Sequence, residues 1–121
     1  MDITERFLSY VAFDTQSSEE STTTPSTHKQ FALATHLVDE LKGLGLTEVE
    51  MDSMGYVYAT LPANTDEPVP TIGFIAHMDT SPDASGADIK PRIVKAYDGK
   101  DLVLDAEAGI VTDVKTFPEL L

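Results

Sequence analysis

The chain has 121 residues, 41% of them hydrophobic, no cysteine, and a formal net charge of −13. That length suits one small domain with a core and is too short for two, and the missing cysteines exclude disulfides and thiol chemistry and fit a reducing compartment. The acidity disfavours nucleic acid and anionic membranes as partners; it serves either solubility or a site that holds cations, and composition does not separate the two.

The amino terminus, Met1-Asp2-Ile3-Thr4-Glu5-Arg6, lacks the basic and then apolar regions of a signal peptide, and no apolar run reaches membrane-spanning length, so a cytoplasmic protein is expected. Apolar residues at Phe7, Leu8, Val11 and Ala12 predict a first helix over Ile3 to Phe13, with Asp2 and Glu5 placed as a cap and its reciprocal partner. Asp14 to Ser26 is dense in Ser, Thr and Glu and reads as a solvated surface loop. The clearest helix follows. Thr27 and Gln30 have capping-box spacing, and Phe31, Ala34, Leu37, Val38, Leu41 and Leu44 recur every three or four residues as far as Gly43 and Gly45. His28 and His36 lie on this helix and read as ordinary helix residues rather than metal ligands.

Thr47 to Asp52 and Tyr56 to Leu61 alternate as strands, joined across Ser53-Met54-Gly55, where glycine supplies a positive φ. Pro62 to Pro70 is a proline-rich surface connection. Thr71 to Ala76 is apolar with no polar alternation, which predicts a central strand covered on both faces, Ile72, Phe74 and Ile75 buried, within a mixed α/β sheet. The run ends in His77-Met78-Asp79. Side chains two apart on an extended segment share a side, so the Asp79 carboxylate can fix the His77 ring and leave its other nitrogen free for a divalent metal. A His–Asp pair that only satisfies a polar strand end is the competing reading. Beyond it, Arg92 to Tyr97 and Lys100 to Leu104 predict a hairpin about Asp98-Gly99, and Phe117-Pro118-Glu119-Leu120-Leu121 reads as the start of a helix. Asp101, Asp105, Glu107 and Asp113 are too scattered for a calcium or magnesium loop.

All ten positions of Ile72-Gly73-Phe74-Ile75-Ala76-His77-Met78-Asp79-Thr80-Ser81 fit the first signature of a known family. The chain resembles the zinc-dependent peptidases and deacylases that include aminoacylases, acetylornithine deacetylases and tripeptide aminopeptidases. Pro82-Asp83, Ala59-Thr60-Leu61-Pro62-Ala63-Asn64 and Phe13-Asp14-Thr15-Gln16-Ser17 look like its tripeptide aminopeptidase branch, and the similarity runs from Ile3 to Leu121. The resemblance implies that His77 is a ligand of one of a pair of zinc ions and that Asp79 is the catalytic-site aspartate that orients it. It implies short peptides as substrates, with the amino-terminal residue of a tripeptide released, and places Thr15, Gln16 and Ser17 near the substrate region. It also implies that residues 1–121 are the amino-terminal portion of a dizinc catalytic domain, two helices plus a mixed sheet, since the bridging aspartate, paired glutamates, further aspartate and second histidine of the family have no counterpart here. Such a portion alone is expected to be inactive and prone to self-association through surface the rest would cover. The alternatives are a non-catalytic acidic α/β module that keeps an unused His-x-Asp, or a deacylase or dipeptidase of the same superfamily.

Overall fold

Helix α2, Gln30–Gly43, is the element on which the first part of the chain is assembled. The computed structural model describes residues 1–121, which divide into two compact units, Met1–Pro91 and Arg92–Leu121. In the first unit α2 buries Leu33 and Ala34, the two buried apolar residues of the chain, against the hairpin β1 (Thr47–Met51) and β2 (Val57–Thr60). Half-buried Phe31, Leu37, Val38 and Leu41 extend the same side, as the spacing of three and four residues requires of one helix face. The predicted capping box at its start does not form. Lys29 is the cap residue, with no side-chain hydrogen bond to the helix, and the Thr27 hydroxyl instead donates to the Gln16 carbonyl at 2.7 Å.

Helix α1, Ile3–Tyr10, has the expected capping box: Asp2 Oδ1 accepts from the Glu5 amide at 2.8 Å and Glu5 Oε2 from the Asp2 amide at 2.9 Å. It ends three residues before the predicted Phe13, where a turn lets the Phe13 ring stack on His36 with centroids 5.2 Å apart. The Tyr10 ring meets His36 edge-on at 5.9 Å, its hydroxyl donates to Glu40, and Arg6 Nε lies 2.7 Å from Glu40 Oε1. Burial first, then the bond to the Glu40 carboxylate, pushes the Tyr10 phenol up to about 12.

β1 and β2 pair antiparallel, Glu50 with Tyr58 and Met51 with Val57. The turn depends on Asp52 and Gly55. Asp52 Oδ1 accepts from the Met54 and Tyr56 amides, both at 2.9 Å, and Gly55 sits at φ +84° with Phe31 Cε1 3.4 Å from where a Cβ would stand.

Thr71 to Ala76 corrects the sequence reading. It belongs to no strand, and Ile72, Phe74 and Ile75 are 73%, 94% and 101% exposed rather than buried on both faces. An all-apolar strand needs neighbours that pair its backbone and cover its faces, and β1 and β2 pair only with each other. The mixed sheet is accordingly absent. The chain is α/β in that it combines helices with two separate two-stranded antiparallel sheets, and its one parallel pairing is the bridge between Gln16 and Thr80.

In the second unit, β3 (Leu102–Asp105) pairs antiparallel with β4 (Ile110–Thr112). The predicted hairpin about Asp98-Gly99 does not form. That dipeptide does turn, but the strand-reversing turn lies after Asp105, whose Oδ1 accepts from the Glu107 and Ala108 amides at 2.9 Å each. The expected helix start is a short 3-10 turn, Pro118–Leu120. No helix is long and apolar enough to cross a membrane.

Candidate functional site

His77 and Asp79, two residues apart in a segment that belongs to no strand, bring their side chains together: His77 Nδ1 lies 3.0 Å from Asp79 Oδ1. In the neutral imidazole, a proton on Nδ1 serves that carboxylate and leaves Nε2, which has no protein partner, as the acceptor. The His77 side chain is 84% exposed and Asp79 42%, so the imidazole stands open to whatever approaches. Met78 is half-buried.

The backbone after Asp79 is anchored. The Thr80 amide donates to the Thr15 carbonyl at 3.2 Å, and the Thr80 carbonyl accepts from the Ser17 amide and hydroxyl, both at 2.9 Å. The polar loop from Asp14 was expected to be wholly solvated, yet Thr15 is 2% exposed. Its carbonyl is the acceptor of the Thr80 amide in this pairing. Ser81 then turns the chain away, its hydroxyl donating to Asp83 Oδ2 at 2.7 Å. A cavity of about 400 Å³ opens beside the pair, with Ile75, Met78, His77 and Asp79 on one side and Pro25, Met54 and Tyr56 on the other.

No group of three or more His, Cys, Asp or Glu residues in the chain is arranged to hold a metal ion. His36 on α2 packs against the rings of Tyr10 and Phe13, whereas His28 lies before α2 rather than on it, exposed, with its ring centroid 5.2 Å from that of Phe31. The scattered acids serve the backbone: Asp101 Oδ1 accepts from the Val114 amide at 3.0 Å and Asp113 Oδ1 from the Thr116 amide at 2.8 Å. A carboxylate on one imidazole nitrogen with the other nitrogen open is the donor arrangement of a metal-bound histidine. It is one ligand, where zinc takes three or four from protein. The residues present therefore fit one share of a metal centre and not a whole one.

Similarity to known proteins covers the whole chain. It is 58% identical over 120 residues to a peptidase T of Clostridium botulinum (strain 657 / Type Ba4), a stretch that is 99% of this chain and 29% of that protein. A peptidase T of Clostridium novyi (strain NT) is 56% identical over 118 residues, 98% of this chain and 29% of its own length. The chain thus spans less than a third of the length of the curated relatives it matches. No protein-family profile matches it.

Proposed function

We infer that this chain is the His77-bearing portion of a peptidase T-like zinc aminopeptidase, a cytoplasmic enzyme that releases the amino-terminal residue of tripeptides. The observation that carries this is the His77–Asp79 pair at 3.0 Å, with Nε2 open, in a chain 58% identical over 120 residues to proteins named peptidase T. On this reading residues 1–121 are the amino-terminal part of a dizinc catalytic domain, and the other ligands come from further sequence. Bound zinc would supply Lewis acidity toward the scissile carbonyl and a water acidic enough to attack at neutral pH. The chain's own part is to present His77 Nε2 to one of the ions and to hold the ring in a single tautomer and orientation through Asp79. The resemblance to the family makes Asp79 the catalytic-site aspartate, and its 3.0 Å contact with His77 agrees with a residue that orients the ligand. The cavity next to the pair, lined by Met54, Tyr56 and Ile75, gives a short peptide an apolar wall to lie against. The 121-residue chain alone is inactive on this reading, and exposed Ile72, Phe74 and Ile75 make it prone to self-association.

The test is tripeptide hydrolysis by the full-length polypeptide in zinc-limited buffer, with His77→Ala and Asp79→Ala beside it and N-acyl amino acids as competing substrates. Loss of a residue that orients a metal-bound histidine typically lowers metal affinity or activity about 10 to 100-fold, and loss of the ligand should cost at least that. Full activity in His77→Ala would refute the assignment. Preference for N-acyl amino acids would indicate a deacylase, and no turnover of either class would leave the acidic, non-catalytic module.

A further inference from the structure

We propose that Gln16 is a positioning residue for the His77–Asp79 pair, clamping the backbone that follows Asp79; the proposal rests on the reading that His77 binds a metal ion. The Gln16 carboxamide reaches across the chain and spends both its hydrogens on the segment after the site. Its Nε2 donates to the Pro82 carbonyl at 3.0 Å and to the Ala84 carbonyl at 2.9 Å. Its Oε1 faces Lys29 Nζ at 3.4 Å, which fixes which end of the amide is which. Lys29 in turn lies 2.9 Å from both oxygens of Asp14, and Asp14 Oδ1 accepts from the Gln16 amide at 3.1 Å. That ammonium holds the Asp14 carboxyl below the usual carboxylate range. The Gln16 backbone is bridged to Thr80, and its carbonyl accepts from Thr27 at 2.7 Å.

Gly86 sits tightly against this cluster. A Cβ on buried Gly86 would stand 2.8 Å from Asp14 Oδ1 and 3.1 Å from Thr80 Oγ1. On the other flank of the pair, Thr71 to Ala76 belongs to no strand and its large side chains are exposed. The direction in which Asp79 meets His77 is therefore set from its carboxyl side, where the Ser17 hydroxyl holds the Thr80 carbonyl and the Gln16 carboxamide holds those of Pro82 and Ala84. Only an amide suits the position. A carboxylate there would oppose two carbonyl oxygens, and an apolar side chain of the same length would leave both without their donor.

The test uses zinc-free full-length protein in four forms: wild type, Gln16→Glu, Gln16→Met and His77→Ala. Amide hydrogen exchange is followed at Thr80 and Ser17 and, as an internal reference, at Leu33 and Ala34 on α2. Zinc affinity is measured by competition with a chelator. Both Gln16 variants should exchange faster at Thr80 and Ser17, keep wild-type exchange on α2, and bind zinc about tenfold more weakly, the lower end of the range for residues that orient a metal ligand. Wild-type zinc affinity in both Gln16 variants, while His77→Ala loses zinc, would overturn the positioning role and leave the metal reading intact. Exchange that rises equally on α2 would make Gln16 a general fold residue and overturn it as well. Undiminished zinc affinity in His77→Ala would overturn the metal reading itself, and the proposal with it.

Discussion

Truncating Leu33 and Phe74 to alanine in turn should rank the two residues opposite to their size. Leu33 is 6% exposed on α2 and Phe74 is 94% exposed in the run before the site. A buried Leu→Ala change costs about 2 to 5 kcal/mol, the spread reflecting how well the site collapses. Leu33 and Ala34 are the only buried apolar residues, with half-exposed neighbours free to close in, so about 2 kcal/mol is expected here. Phe74→Ala removes a side chain that touches almost nothing and should stay within about 0.5 kcal/mol, against the roughly 3 to 5 kcal/mol of a buried phenylalanine. Urea unfolding of the 121-residue chain followed by circular dichroism resolves these. With a slope of about 1 to 3 kcal/mol per molar, Leu33→Ala should lower the midpoint by about 1 M and Phe74→Ala should leave it in place. A Phe74→Ala loss as large as that of Leu33→Ala would mean that the run is covered and that the fold described above is wrong there.

The remaining predictions concern the α1–α2 contact and the Gly86 cluster. Tyr10 has its folded pKa raised from 10.0 to about 12, so its contribution is complete below pH 10 and is lost as pH rises toward 12; melting temperatures across that range should fall less steeply in Tyr10→Phe, and equal slopes would contradict the contact. Gly86→Ala should cost about 1 to 3 kcal/mol, the range of an overpacked site, because its Cβ would press on a carboxylate pinned by Lys29, while Gly73→Ala, with nothing within 4 Å, should be neutral in the same melt. Equal effects of the two would contradict the packing at Gly86.

Local signals were legible where the physics is local. The Asp2–Glu5 capping box, the apolar spacing from Phe31 to Leu41 and the turn at Gly55 each involve residues within a few positions of one another, and each forms. The His77–Asp79 contact is legible for the same reason, since the two residues stand two positions apart, although the strand that was to carry them does not form. Thr71 to Ala76 was misread because burial of a strand is decided by its neighbours, and no strand of this chain pairs with it. The second hairpin was misplaced because Asp98-Gly99 outweighed Asp105, whose side chain caps the turn that actually reverses the chain. The Thr27 to Gln30 spacing suits a cap, but the Thr27 hydroxyl serves the Gln16 carbonyl instead. The Gln16 clamp lay beyond pattern reading, since its partners are 66 and 68 residues away, and only the family likeness of Thr15, Gln16 and Ser17 pointed toward the site.

Calorimetric zinc titration of the 121-residue chain, with His77→Ala as the control and a tripeptide hydrolysis assay alongside, tests the metal assignment most directly. A single imidazole oriented by Asp79 at 3.0 Å, with no further cluster of ligands, should bind zinc weakly, lose that binding in His77→Ala, and turn over no peptide. Tight binding of a pair of zinc ions per chain with turnover that depends on His77 would show that the chain carries a complete centre, and zinc binding unchanged in His77→Ala would remove His77 from it.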